Sequence, residues 1–487
     1  MRLILLLLFV LHLCLGAAMG LSVDEAHYAL YAAHPALSYF DHPPLVGWAQ
    51  WPLVALNAPD AVLRLIPGAL WLGTVWGVYR LTLRLSPANA MQAAVWAVAV
   101  LLLAPLLHIL AIGLLPDTLL MALTVALTHQ TLTLMDARSS SRPLPWLVLG
   151  VLLGLAGLSK YTAVFTAVAV AACLLAAHGA RVLRNLWLWL AALVAMGVIS
   201  PVLVWNAQNH WVSFAYQLSH GAGGTWQARQ VVQFLVLQIA AFGPLLAWGF
   251  WGVRQLQVPQ HRWMVLFFVV PFAVLAYLSG GGSSLPHWTA PAWVALAPFA
   301  GMALAHAVQG GARKLVIALV VLQGVLCLAL PTLMVTGGVP FVAAKSSAGH
   351  VVPNPFADVH GWEQAGALAR TLAAKNSLGS VAVQNWTLAS RLGWYARPLP
   401  VHVLEDRFDQ FDLWAAELPV GGSTLLVDWS QMAYTIPTGV HGFSACVLLE
   451  TLVVSRLGHT LSEFRFYACS GWSANPQPRL QNEAPAS

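Results

Sequence analysis

Eleven apolar runs, almost free of charge, fill the first two thirds of this chain and commit it to a membrane. A helix that crosses a bilayer needs about 20 mostly apolar residues. The runs lie near 3–21, 62–83, 90–112, 117–135, 145–159, 161–178, 186–205, 230–252, 263–279, 288–307 and 315–335. The fifth is short and carries Gly150, Gly154 and Gly157. Pro and Gly inside such runs are tolerated, because neighbouring helices re-satisfy the freed backbone groups. Composition agrees: 59% of residues are apolar and only 8% charged, against about 25% charged in soluble domains. That excludes a soluble cytosolic enzyme and a disordered chain. The basic residues stand singly or in pairs, so no stripe exists for nucleic acid. Five cysteines are too few for a disulfide scaffold.

Charge divides the chain at about residue 336. Residues 1–336 hold fourteen Lys/Arg and six Asp/Glu, whereas 337–487 hold nine and eleven. We read a transmembrane domain over 1–336 and a water-soluble α/β domain over 337–487. The expected fold class is a polytopic α-helical membrane protein of about eleven spans with that C-terminal domain. Loop cations set orientation. Arg2, Arg80, Arg84, Arg138, Arg142, Arg181, Arg184, Arg254, Arg262, Arg313 and Lys314 collect on one side, and only Arg64, Lys160 and Arg229 on the other. The N-terminus is therefore expected in the cytoplasm and the C-terminal domain in the periplasm of a bacterial inner membrane. Residues 1–21 also have the form of a signal peptide, and the following segment is external under either reading.

The acids then fall on one face. Asp24, Glu25, Asp41, Asp60 and Asp117 are external and only Asp136 is cytoplasmic. Acids near a bilayer are costly and mark function. The longest external loop, 22–61, reads Ser22-Val23-Asp24-Glu25-Ala26-His27-Tyr28 and later Tyr39-Phe40-Asp41-His42-Pro43-Pro44-Leu45. Between these we expect an interfacial helix from Asp24 to His34, capped by Ser22 or Asp24, with His27 exposed. Asp24 is then a cap or a general base that takes a proton from an attacking hydroxyl. Glu25 points elsewhere on the helix and holds the loop.

Those two stretches resemble the first external loop of bacterial GT-C glycosyltransferases. The group they match is the protein-mannosyltransferase-like family that includes the aminoarabinose transferase of lipid A and the galacturonosyl transferases of rhizobial lipopolysaccharide. Leu115-Pro116-Asp117, Gly157-Leu158-Ser159-Lys160-Tyr161-Thr162, Leu285-Pro286-His287-Trp288, Asn385-Trp386-Thr387-Leu388-Ala389-Ser390 and Gln410-Phe411-Asp412-Leu413-Trp414 follow in the same order. The resemblance covers most of residues 20–420. It implies a polyprenyl-phosphate sugar as donor, a membrane lipid or envelope glycan as acceptor, Asp24 as catalytic base, and functional roles for Asp117 and Lys160. His42 departs from the pattern, since the aminoarabinose transferase has Lys there.

The chemistry is displacement at an anomeric carbon, with polyprenyl phosphate leaving. Fixed positive charge near the departing phosphate lowers the barrier. Lys160 and Arg229 are the best-placed cations, being charged at neutral pH, while His42, His220 and His287 are only partly so. Glu25, Asp41 and Asp117 complete the expected substrate-binding set. Each has a plain structural use as well: Lys160 as a snorkelling anchor, Arg229 at the start of a span, His42 in a turn before Pro43-Pro44, His220 in a flexible glycine loop, and Asp117 as a cap. No His-x-x-x-His or Cys-x-x-Cys spacing marks zinc in the external loops. No cofactor is implied, and a weakly held divalent ion near Asp24 or Asp117 stays open. Gly280-Gly281-Gly282-Ser283-Ser284 lacks the Lys of a phosphate loop and reads as a mobile loop.

In the C-terminal domain we expect helices at 361–375, 386–394 and 411–416, and strands at 380–384, 400–404, 423–428, 444–454 and 463–469. Cys446 and Cys469 fall on facing strands, where an oxidising compartment favours a disulfide. The tail after Trp472 is expected to be disordered. The competing function is a transporter or flippase of lipid-linked sugars, which calls for polar groups on broken helices at the bilayer midplane. Here the acids sit at one surface instead.

Overall fold

A computed structural model of the chain describes residues 2–86, 89–222, 224–282, 284–339 and 354–474. The expected tail lies outside the described residues from 475 onward. The chain forms two compact units, one of residues 1–13, 35–52 and 62–328, the other of 14–34, 53–61 and 329–487. Two stretches of the first loop thus fold with the C-terminal part, a division that cuts across the contiguous one read from charge.

The first unit is helical. Six described helices are long and apolar enough to cross a membrane, or eight if two sharply bent pairs each count as one span. The chain is a multi-pass membrane protein. Ala90–Leu102 meets Pro105–Ile112 at 74°, and Ala228–Phe242 meets the following Pro244–Gln255 at 106°. Each break frees backbone groups that lipid cannot satisfy. Gln323 serves both: its Nε2 donates to the Leu103 carbonyl at 2.7 Å, and its Oε1 accepts from the Leu245 amide at 3.1 Å. Gly243, at φ 85°, turns the second bend directly against the Gln323 side-chain amide, where any Cβ would collide with it. The Ala290–Gln309 helix is buried from Ala290 through Ala305 and forms the centre of the bundle. Pro143–Ser159 lies close against Leu186–Gln208, because a Cβ at Gly150 or Gly154 would come within 2.5 Å of Ala191 O or Val198 Cβ.

The second unit is built on one sheet of order β2-β1-β3-β5-β4, with β1 Val381–Val383, β2 Val401–Val403, β3 Thr424–Trp429, β4 Phe443–Arg456 and β5 His459–Trp472. β1 runs parallel to β2 and β3, while β5 is antiparallel to β3 and β4. All six residues of β3 are buried. Trp362–Lys375, Trp386–Tyr395 and Gln410–Ala415 are the three expected helices. Cys446 and Cys469 are direct register partners joined by a disulfide, and Cys14, Cys173 and Cys327 are free.

The first-loop helix is Val23–Ala33, and it is buried in protein. Glu25 through Ala32 are all buried, and the helix packs on Trp386–Tyr395. His27, expected at the surface, is 4% exposed. Its Nδ1 lies 3.0 Å from Ser390 Oγ, and its ring sits among Tyr31, Trp386 and Phe411. Because Ser390 donates its own proton to the Trp386 carbonyl at 2.7 Å, the imidazole Nδ1–H is the donor to Ser390.

Candidate active site residues

In the first unit the structure brings Asp117, Lys160 and His287 together. Pro116 and Asp117 open the Pro116–Leu134 helix, and the neighbouring hydroxyl of Thr118 donates to the Leu110 and Gly113 carbonyls at 3.0 and 3.2 Å. The Asp117 carboxylate is engaged by the ammonium of Lys160, whose Nζ lies 2.7 Å from both oxygens. Lys160 ends the Pro143–Ser159 helix in extended backbone. The pair is almost sealed from solvent, at 4% and 1% exposure. Lys160 is therefore no snorkelling anchor. The nearest partner for its charge comes from another helix, 43 residues earlier. An ammonium has three donors, and Asp117 takes two. The Trp288 ring lies 5.3 Å from Nζ, near enough for a cation–π contact. His287 Nε2 stands 3.8 Å from Asp117 Oδ2, beyond hydrogen-bond reach but within its field.

Asp41 and His42 are half-buried in the same unit. Their segment is held by the Val212–Ala222 helix: Ser213 Oγ donates to the Tyr39 carbonyl at 2.8 Å and Gln217 Nε2 to the Asp41 carbonyl at 2.7 Å. Asp41 also acts electrostatically on Tyr161, the residue after Lys160. Arg229 is exposed in the first turn of Ala228–Phe242. His220 lies on the Val212–Ala222 helix rather than in a glycine loop, and its side chain is outside the described residues. The Gly280–Gly282 stretch is tied down, its carbonyls at 280 and 281 accepting from Gln227 and Gly224 at 2.8 and 2.9 Å. Ser283, the next residue of that expected mobile loop, lies outside the described residues.

Asp24 and Glu25 belong to the second unit. Ser22, not Asp24, is the N-cap: its hydroxyl accepts from the Glu25 amide at 3.4 Å, and Glu25 Oε2 accepts from the Ser22 amide at 3.0 Å. This reciprocal capping box leaves the Asp24 carboxylate out of the cap. Asp24 stands in the field of Arg391, a guanidinium 1% exposed and enclosed by the rings of Trp362 and Trp429 at 4.0 and 4.9 Å. Burial lowers the Arg391 pKa, and the carboxylates of Asp358, its ion-pair partner, and Asp24 oppose that shift.

Sequence reading missed this arginine, and it missed a second anchor. The Leu21 amide donates to Tyr395 Oη at 2.8 Å, and that hydroxyl donates to Asp60 at 2.5 Å. Trp394 Nε1 donates to the other Asp60 oxygen at 3.0 Å. Burial, then the Asp60 carboxylate, pushes the Tyr395 pKa up. The turn that precedes Asp24 is thereby fixed to residues more than 370 positions later. Among the described residues no three His, Cys, Asp or Glu side chains converge on a metal position.

The comparisons with known proteins agree with the loop motifs. Residues 41–205 match the family model described as dolichyl-phosphate-mannose-protein mannosyltransferase. The lipid A galacturonosyltransferase RgtD of Rhizobium johnstonii is 23% identical over 283 residues, which cover 56% of this chain and 58% of that protein. The fold is that of ArnT from Cupriavidus metallidurans. Its structure bound to undecaprenyl phosphate superposes with a TM-score of 0.64 at 15% identity, covering 98% of each chain. The apo structure gives 0.63 at 16%, over 97% of this chain and 99% of that one. The arabinofuranosyltransferase AftD from Mycobacteria gives 0.55 at 15%, over 98% of this chain and 40% of AftD. The chain thus resembles the protein-mannosyltransferase-like group of GT-C glycosyltransferases in sequence and in fold.

Proposed function

We propose that this chain is an integral membrane glycosyltransferase. It moves a sugar from a polyprenyl-phosphate donor to an acceptor hydroxyl of a lipopolysaccharide or other envelope glycan, on the periplasmic side of a bacterial inner membrane. The observation that carries this reading is the sealed Asp117–Lys160 pair with His287 beside it. Ionisable groups gathered at the ends of apolar helices are costly, and such cost marks function. The ArnT fold and the mannosyltransferase family match support the reaction class.

Each residue has a stated part. The acceptor oxygen attacks the anomeric carbon, its proton passes to Asp24, and the bond to the phosphate oxygen breaks so that polyprenyl phosphate leaves with the electron pair. Asp24 suits the base because Ser22 and Glu25 already complete the helix cap. Lys160 offers its third N–H to a phosphate oxygen while Asp117 fixes its direction. His287, His42, His220 and Arg229 add donors to the substrate, and Asp41 and Glu25 hold the loop that carries Asp24. On the eleven spans expected from hydropathy and a cytoplasmic N-terminus, the C-terminal part and the loop acids face the periplasm.

The test is transfer of label from radiolabelled polyprenyl-phosphate sugars to envelope fractions by the purified chain in proteoliposomes. Label should enter a glycan or lipid acceptor with Asp24 and Lys160 intact. Label that crosses the bilayer still joined to its polyprenyl carrier, with none transferred, would make the protein a flippase. Alkaline phosphatase fused after residue 340 should be active; an inactive fusion would reverse the topology.

A further inference from the structure

Within the second unit a cavity of about 710 Å³ is lined by neither Asp24 nor any other residue given a part in the reaction proposed above. Its polar wall carries Arg370, Arg397 and Arg456, and its apolar end is formed by residues 16–19, where the first apolar helix finishes. Among the described residues none of the three arginines makes an ion pair. Each instead has one edge fixed by a neutral acceptor. Arg370 donates to the Tyr395 carbonyl. Arg397 donates to the Trp394 carbonyl at 2.9 Å and lies over its ring, 3.4 Å from the centroid. Arg456 donates to the Ala18 carbonyl at 3.4 Å and to His360 Nδ1 at 3.3 Å. A guanidinium has five donors, so each keeps several for a ligand.

The carboxylates in the wall offset this charge only in part, Asp60 acting electrostatically on Arg397. Asp60 accepts from Trp394 and Tyr395, and Glu363 is the only other acid lining the cavity. His360 gives its Nε2–H to the Met334 carbonyl at 2.8 Å and so presents a neutral ring. Three pre-oriented guanidiniums against two acids favour a multiply charged oxyanion, and the planar fork of Arg suits phosphate. The adjoining apolar end, where the apolar Arg2–Ala17 helix finishes, suits an acyl chain.

We propose that this cavity binds the phosphate headgroup of a membrane amphiphile, independently of the sugar donor. The probe is dioctanoyl phosphatidate added to the full-length chain in neutral detergent, read by thermal shift and by quenching of tryptophan fluorescence, Trp394 lying in the wall. The expected result is saturable stabilisation of the wild type. Affinity should fall about tenfold for each guanidinium removed in Arg370→Gln and Arg397→Gln. Arg370→Lys and Arg397→Lys keep the charge without the fork and should fall between, which also serves if a Gln variant fails to fold. Three results would overturn the proposal. Dioctanoyl phosphatidylcholine could bind equally well, which removes the phosphomonoester. Inorganic phosphate alone could give the whole effect, which removes the lipid. Or the variants could bind as the wild type does, which removes the cavity.

Discussion

Lys160→Met isolates the buried ion pair. The substitution keeps an unbranched side chain of similar length but removes the ammonium. Asp117, 1% exposed, then loses both 2.7 Å contacts and is left as a buried charge with no cation in contact. Breaking a buried pair in this way costs about 3–5 kcal/mol. Asp117→Leu strands the ammonium instead and should cost a similar amount. The double variant removes both charges, and replacing a whole buried pair by apolar side chains is close to neutral. The double should therefore be more stable than either single variant. Thermal unfolding in detergent, followed by intrinsic fluorescence, measures all three, and the transfer assay is run on the same preparations. Recovered stability without recovered transfer would assign the pair to function rather than to folding. The reasoning fails if the single variants lie within about 0.5 kcal/mol of wild type, or if their effects simply add.

Three further outcomes are expected. Asp24→Asn should lower the transfer rate about 10²–10⁴-fold, whereas Glu25→Ala should cost about 1 kcal/mol of stability through the lost capping box; equal rates for wild type and Asp24→Asn would remove the base. Burial pushes the Asp409 carboxyl from 3.8 up to about 7. A folded state that holds its proton more tightly than the unfolded state is most stable at low pH, and loses stability as pH rises from about 4 to about 7. That span of roughly three pH units is at most about 4 kcal/mol. Asp409→Asn keeps a capping oxygen for the Phe411 amide, so it should melt higher than wild type at pH 8 and equally at pH 4, and no difference at pH 8 would refute the shift. Cys446→Ser with Cys469→Ser opens a bridge between residues 23 apart and should cost about 3 kcal/mol, read as a lower melting temperature that reductant reproduces in the wild type and leaves unchanged in the variant.

The strands and helices of the second unit were legible because alternation and turn residues act locally: all five strands and all three helices fall within a few residues of their expected places, the last two strands longer than read. Span count was harder to read, since the apolar runs at 3–21 and 145–159 form helices of fewer than 18 residues, Leu3–Ala17 and Pro143–Ser159. The burial of the Val23–Ala33 helix, and of His27 on it, was missed for a physical reason. A helix lying in a lipid interface and one buried in protein both need apolar faces. The signal that separates them was present: after Glu25 no charged residue appears before Asp41, and a helix apolar all round is buried. Lys160 and Asp117 could each be singled out by rarity of charge, but not as partners, because no local spacing links residues on different helices. The Leu21–Tyr395–Asp60 anchor and Arg391 carry no local pattern at all.

Gln323 sets the order in which the bundle can be completed. The carbonyl of Leu103 and the amide of Leu245 are made 220 and 78 residues before the side chain that satisfies them. At roughly 5–20 residues per second of synthesis, the first waits about 10–45 s and the second about 4–16 s. Through that interval both bends lack the one side chain able to give and take a hydrogen bond at their junction. The helix from Arg313 onward therefore acts as the closing piece of biosynthesis, and a ribosome stalled before residue 323 would hold a bundle whose two bends remain unlocked.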